Sequence, residues 1–401
     1  MKNESEKTVL NPTVIKLGLI SLFADIASEM LYPITPIFLT TVIGASMASV
    51  GFIEGFAEAT ASLLKTFAGM WSDQILKRKP FIIIGYLFSA LSKPLIGFAS
   101  TWPHVLFARS LDRIGKGLRT PPRDALLAEA VSEKKRGAAF GWHRAMDTMG
   151  AVIGPLLAIL YLSLSNDLRI IFYWALVPGL ISVGIAFLIS DKKTHLPSAN
   201  RQKIQFFEFR SLSPSFKSYL IAWTVFAMTN SSDAFLLMKA KSVGIPLIEV
   251  ILLYCFYNLV YAWLSPYFGH LSDRIGRKPV LILGLLVFAA VYVGFSIATD
   301  RWHFWILFGV YGFYMSATDG VGKAFAVDLV DPKKKATGLG LFGTLTGVAT
   351  LIASTVSGVL WDQFGSTISF LYGSLGAVLS VVLLLIFVRT DSKSSMLKFN
   401  Q

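Results

Sequence analysis

The chain has 401 residues, 54% of them hydrophobic, 13% aromatic and only 15% charged, with a formal net charge of +13. That balance excludes a soluble globular domain, and it leaves nucleic acid or a membrane surface to explain the excess of Lys and Arg. The single cysteine, Cys255, excludes an internal disulfide and a cysteine metal cluster, and the five histidines are dispersed without ligand spacing, so neither a metal nor a cofactor is expected.

In chain order, MKNESEKTVLNP is polar with no apolar core before a cleavage site, and reads as a cytosolic tail. Apolar runs of about 20 residues follow, the length a helix needs to cross about 30 Å of hydrocarbon, and the alternation of a membrane barrel is missing. The expected spans are 14–42, 48–71, 80–100, 103–131, 138–164 and 169–190, then a polar linker at 191–215, then 216–240, 247–270, 279–299, 302–330, 337–361 and 366–388. The expected fold is an all-α integral membrane protein with twelve transmembrane helices, its domains being 1–190, the linker 191–215, and 216–401.

The tails and alternate loops (residues 77–79, 134–136, 191–215, 274–278 and 333–335) carry most of the 37 Lys and Arg. The opposite loops carry Arg169, Lys239, Lys241 and Arg301. This positive-inside pattern assigns the charge to topology and not to nucleic acid, and it places both termini on the cytoplasmic side of an inner membrane.

GMWSDQILKRKP at 69–80 recurs as GHLSDRIGRKP at 269–279, with Asp73 and Asp273 200 residues apart, and EKKRGAAFG at 133–141 matches PKKKATGLG at 332–340. The chain therefore reads as two pseudo-symmetric six-helix halves, an arrangement suited to alternating access.

These repeated loops resemble the signature Gly-x-x-x-Asp-Arg-x-Gly-Arg-Lys of the major facilitator superfamily. The second copy is complete at Gly269, Asp273, Arg274, Gly276, Arg277 and Lys278, whereas the first has Gln74 and Leu76 where Arg and Gly are usual. The resemblance implies that Asp73, Asp273, Arg274, Gly276 and Arg277 act in a cytoplasmic gate. RSLDRIGKG at 109–117 is similar to the family's fourth-span pattern, with Asp112 and Arg113 replacing Gln and Gly. GAVIGPLLA at 150–158 resembles the antiporter motif of the fifth span, which gives Gly154 and Pro155 a hinge role; ordinary packing of small residues is the alternative.

The fourth span is the anomaly of the chain. At 100° per residue Arg109, Asp112, Arg113, Lys116, Arg119 and Arg123 share an arc of about 120°. A charge facing lipid near midplane costs at least about 2.5–3.5 kcal/mol, so this face must line water or meet carboxylates. Pro121 and Pro122 remove two backbone donors and predict a bend or unwinding before Arg123. Asp25, Glu29, Glu54, Glu58, Asp147 and Asp233 are the available acids outside that span. Buried ion pairing and substrate contact therefore compete as readings. Arg113 and Lys116, with Arg119, Arg123, Glu29 and Tyr257, are the candidate substrate ligands, and Arg forks suit a carboxylate or phosphate. Arg109 and Asp112 are expected to form a structural or proton-relay pair. Asp25 and Glu29, one turn apart before Pro33, are the candidate proton carriers, with Asp233 in the C-terminal half. Asp319, 200 residues after Arg119, is a candidate gating contact.

The expected function is proton-coupled secondary transport of a small organic anion or zwitterionic metabolite, by export through antiport, with the chain working as a monomer whose partners are substrate, protons and the bilayer. Symport or exchange of a carboxylate or phosphate ester is the alternative, and a membrane-embedded ligand sensor is the alternative of another class. No nucleophile beside a base argues for an enzyme, and no phosphate-binding loop argues for ATP as driver.

Overall fold

The computed structural model describes residues 10–75, 77–132, 135–165, 167–190, 212–330 and 335–388. Most of the linker, both tails and Lys333 and Lys334 of the KKK loop lie outside the described residues, as does the side chain of Asp73. Among the described residues every regular element is a helix: α1 Pro12–Glu29, α2 Thr35–Thr41, α3 Met47–Ile75, α4 Lys79–Gly97, α5 Trp102–Glu129, α6 Arg136–Leu162, α7 Leu168–Trp174, α8 Leu176–Phe187, α9 Pro214–Ala227, α10 Ala234–Ser242, α11 Leu247–Ile275, α12 Arg277–Ile297, α13 Arg301–Asp328, α14 Lys335–Phe364 and α15 Ser366–Phe387. Taken as α1–α2, α7–α8 and α9–α10 in pairs, these make the twelve spans. Seven helical stretches are long and apolar enough to cross a membrane by length and composition alone. The other spans miss that description because they are broken (α1–α2 and α9–α10) or because they carry charge, as in α3 and α5.

The breaks have local causes. Pro33 has no N–H to offer the carbonyl of Glu29, so α1 ends there, and Thr35 restarts the chain as α2 with Pro36 in its first turn. Between α9 and α10 the run TNSSD supplies short polar side chains that compete with the backbone ladder; the Thr229 hydroxyl, for example, donates to Phe226 O at 2.9 Å. By contrast α5 runs unbroken through Pro121 and Pro122, against the expected unwinding. It is held between two neighbours at glycine contacts: Gly115 lies against the backbone of Gly85 and Ser89 on α4, and Gly117 against Leu64 and Ala61 on α3.

The chain divides into two compact units, one formed by Met1–Lys203 with Ser232–Cys255 and the other by Ile204–Ser231 with Phe256–Gln401. In the first, residues of α1, α4, α5, α6 and α8, including Leu17, Ile20, Tyr86, Leu127 and Val183, form a buried apolar cluster. In the second, Tyr219, Trp223, Phe226, Phe288, Tyr292, Phe370, Phe295 and Phe308 make a chain of ring contacts, with Tyr314 against Phe288.

The two units repeat each other in polar detail. Arg78 meets Glu129 at 2.6 Å and Arg277 meets Asp328 at 3.3 Å. Lys79 caps α8 through Phe187 O at 2.8 Å and Lys278 caps α15 through Val388 O at 2.7 Å. Asn11 and Ser213, which cap α1 and α9, each donate at 2.8 Å to the last carbonyl after α5 and α13, those of Ala130 and Leu329. The spacing of this repeat is 199 in the fourth spans, not 200: α5 and α13 begin and end 199 apart, Arg119 packs on Gly85, and Thr318 packs on Gly284. Thr318, not Asp319, thus corresponds to Arg119. The first loop has one residue more than the second between its Asp and its Arg, which shifts the register.

Candidate functional site

The first unit collects the charges of α5 with those of α1, α3, α4 and α6. Arg109 donates through Nη2 to both carboxylate oxygens of Glu54, at 2.7 and 2.6 Å, and both side chains are buried. Asp112, 4.0 Å from Arg109, takes its short contact from α4: Lys93 Nζ lies 2.8 Å from Asp112 Oδ1 and 3.2 Å from the Ser28 hydroxyl. Arg109 and Asp112 thus belong to two crossed pairs with other helices. Lys93 was legible only as a lone cation in an apolar span, a signal that asks for a buried acid without naming it.

Further along α5, Arg119 is buried without a carboxylate within 4.0 Å among the described residues: it donates to the Ser89 hydroxyl and stacks over the Tyr86 ring, 4.3 Å from its centroid. Arg123 pairs with the adjacent Asp124 at 2.9 Å and reaches Ser21 of α1 at 3.2 Å. Two cations of the row differ. Among the described residues, Arg113 meets Asp112 at 4.0 Å, feels the Glu58 charge from α3, and makes no hydrogen bond through Nε. Lys116 is exposed, with no salt bridge among the described residues, although it lies about 21 Å along the helix from Trp102. An exposed ammonium at that depth must meet water and not lipid.

The acids of α1 are placed by α6. Gly150 lies against Leu22 O, Asp25 Cβ and Ile26 N, and Gly154 against Ile26 O, Met30 N and the carbonyl carbon of Glu29. The small residues of GAVIGPLLA thus form the seat of the acidic turn, with Gly154 and Pro155 buried. Glu29 accepts a hydrogen bond from the Tyr254 hydroxyl, whose ring lies 5.2 Å from that of Tyr32. Asp233 is half-buried at the start of α10.

Tyr257, Asp273, Arg274, Gly276, Arg277 and Asp319 belong to the second unit. Tyr257 is buried, 6.0 Å from the Phe308 ring and 5.4 Å from that of Tyr311. Asp319 accepts from Lys323 one turn on at 2.6 Å and from the Tyr261 hydroxyl at 3.0 Å. Asp273 bonds Arg277 at 2.6 Å, Arg277 also donates to Ser272, and Arg274 is exposed. Gly276 caps α12 at φ 95°, a conformation that favours glycine and accounts for its place in the repeated loop.

The Major Facilitator Superfamily family model matches residues 17–240 and 219–399. The chain belongs to the major facilitator superfamily. An uncharacterized MFS-type transporter of Methanocaldococcus jannaschii is 36% identical over 392 residues, 96% of this chain and 97% of the relative. A probable 4-methylmuconolactone transporter of Cupriavidus pinatubonensis is 25% identical over 266 residues, 61% of this chain and 59% of the relative. The crystal structure of the nucleoside transporter NupG matches with a TM-score of 0.75 at 15% identity, covering 95% of this chain and 100% of that one. This major facilitator is a multi-pass membrane transporter, and its family includes multidrug and metabolite transporters. The paired basic loops have their place in its two halves, and the acid-base crossing of α3, α4 and α5 forms a charged core in the first unit.

Proposed function

We propose that this major facilitator exports a small organic anion or zwitterionic metabolite in exchange for protons, by alternating access, as a monomer in the inner membrane with both termini cytoplasmic. The observation that carries the reading is the state of Arg113 and Lys116: they lie one turn apart on α5 and share the charge of Glu58 on α3, while the nearby acids Glu54 and Asp112 have closer partners. An anion entering between them supplies a close counterion, with the Arg113 guanidinium offering a planar fork. Asp25 and Glu29 supply the proton exchange, since substrate and proton then compete for one basic patch. The glycine seat of α6 resembles the antiporter motif and supports exchange over symport. The loops around Asp73 and Asp273 serve as gates.

The test is flux into proteoliposomes under an imposed pH gradient, with benzoate, succinate, glucose 6-phosphate and the cationic dye ethidium as probes. Anion flux should follow the gradient, and Arg113→Gln should cut it at least tenfold while thermal unfolding stays near that of the parent. Ethidium flux without anion flux would overturn the reading. Asp25→Asn or Glu29→Gln should leave anion exchange uncoupled from the gradient; coupling that survives both changes removes the pair as proton carriers.

A further inference from the structure

Besides the α5 row, the first unit holds a second group of ionisable residues on α6, the buried His143 and the half-buried Asp147. His143 is 4% exposed, and its Nδ1 lies 3.5 Å from Asp147 Oδ2 one turn on. The other atoms of the pair, His143 Nε2 and Asp147 Oδ1, are buried and make no hydrogen bond among the described residues. Leaving both a ring nitrogen and a carboxylate oxygen unsatisfied costs about 1–3 kcal/mol each, so packing alone is a poor account of them.

Their position supplies a better one. His143, Asp147, Gly150 and Gly154 are spaced by four, three and four residues and so form one stripe of α6. That stripe is the one on which α1 rests, with Asp25 Cβ against Gly150. From the Arg136 end of α6, His143, Asp147 and Gly150 lie at roughly 10, 16 and 21 Å, so His143, Asp147 and, at the level of Gly150, Asp25 of α1 make a graded line of three ionisable groups towards the helix end. The charges acting on His143 are Asp147 and Arg144 from its own helix and Arg123 and Asp124 from α5. Those acting on Asp25 are Asp147, Glu29, Lys116 and Arg119.

We propose that His143 and Asp147 form a proton-holding pair that takes the proton from Asp25 and passes it to the cytoplasmic end of α6. The Asp25 carboxyl gives up its O–H proton and becomes a carboxylate, and Asp147 Oδ1 accepts it. Transfer from Asp147 to the imidazole leaves an imidazolium beside an Asp147 carboxylate, and the ring, whose Nε2 is buried in this state, releases its proton to water admitted to Nε2 as access alternates. One proton enters and one leaves, and the pair returns to its starting state. His143 and Asp147 act on the coupling and not on substrate, and this inference rests on the coupling role proposed for Asp25.

Nitrogen NMR of the full chain, labelled in histidine and held in nanodiscs without substrate, tests the line directly. The His143 titration midpoint should move by at least about half a pH unit both in Asp147→Asn and in Asp25→Asn; a midpoint that Asp25→Asn leaves in place overturns the proposal. In proteoliposomes, His143→Gln should slow proton movement driven by succinate, benzoate or glucose 6-phosphate at least tenfold, with counterflow of the same anion within twofold of the parent. Equal loss of counterflow would assign His143 a structural role, and Asp147→Glu should restore part of the coupled rate that Asp147→Asn loses. If none of these anions moves, the substrate reading has failed, while the NMR result still decides the relay.

Discussion

At the residue scale, the cations of α5 divide by what neutralises them. The Glu54–Arg109 bond is buried on both sides, so removing one partner leaves an uncompensated charge, at a cost of about 3–5 kcal/mol. Glu54→Gln should therefore lower the unfolding midpoint markedly in a thermal assay. Lys116 is exposed and outside any such pair, so Lys116→Gln should leave that midpoint unchanged and weaken binding of the transported anion at least tenfold, read by equilibrium binding to the purified chain. If the two changes exchange effects, the division between structural pair and ligand is wrong. The sequence could place Arg109 and Lys116 on one face by helical spacing, but spacing says nothing of partners on other helices. Lys93 and Glu54 are the partners it left unassigned.

At the element scale, α6 sets the position of α1. A Cβ at Gly150 would stand 2.7 Å from Leu22 O and 2.8 Å from Asp25 Cβ, and one of the two contacts is backbone that cannot swing aside. Gly150→Val should cost about 1–3 kcal/mol of stability by overpacking and reduce pH-driven flux at least tenfold by displacing Asp25. Gly141 on the same helix has open space around it, so Gly141→Ala should preserve both. Unfolding and flux measured on the pair of variants separate a seat from a generic glycine. The same element shows what was legible. The twelve spans follow from apolar length, and the break before α2 follows from Pro33. The unbroken α5 did not follow, because the restraint on its proline turn comes from contacts with α3 and α4 that no local pattern encodes. The fourth-span register, shifted by one residue from the loop repeat, was hidden by a single inserted residue.

At the scale of the whole molecule, the repeat places an Arg–acid pair at the same point of each unit, Arg78 with Glu129 and Arg277 with Asp328. Half-exposed pairs of this kind contribute about 0–1 kcal/mol, too little for stability to explain their double occurrence. A contact that forms in one state of a transport cycle and breaks in another needs only a small free energy, because it biases an equilibrium between states instead of holding a fold together. Arg277→Gln should accordingly shift the unfolding midpoint by less than about 2 °C, since roughly 1 kcal/mol moves a chain of this size by about 1 °C, and lower the transport rate severalfold. Arg78→Gln should do the same from the other unit. Reversing the charges of one pair, with Arg277→Asp and Asp328→Arg together, should recover part of the lost rate, whereas a role in topology alone predicts normal flux in each single variant. Because Arg277 also bonds Asp273 at 2.6 Å, Asp273→Asn should reproduce the kinetic effect without the recovery. That difference separates the bond within the loop from the bond to the end of α13.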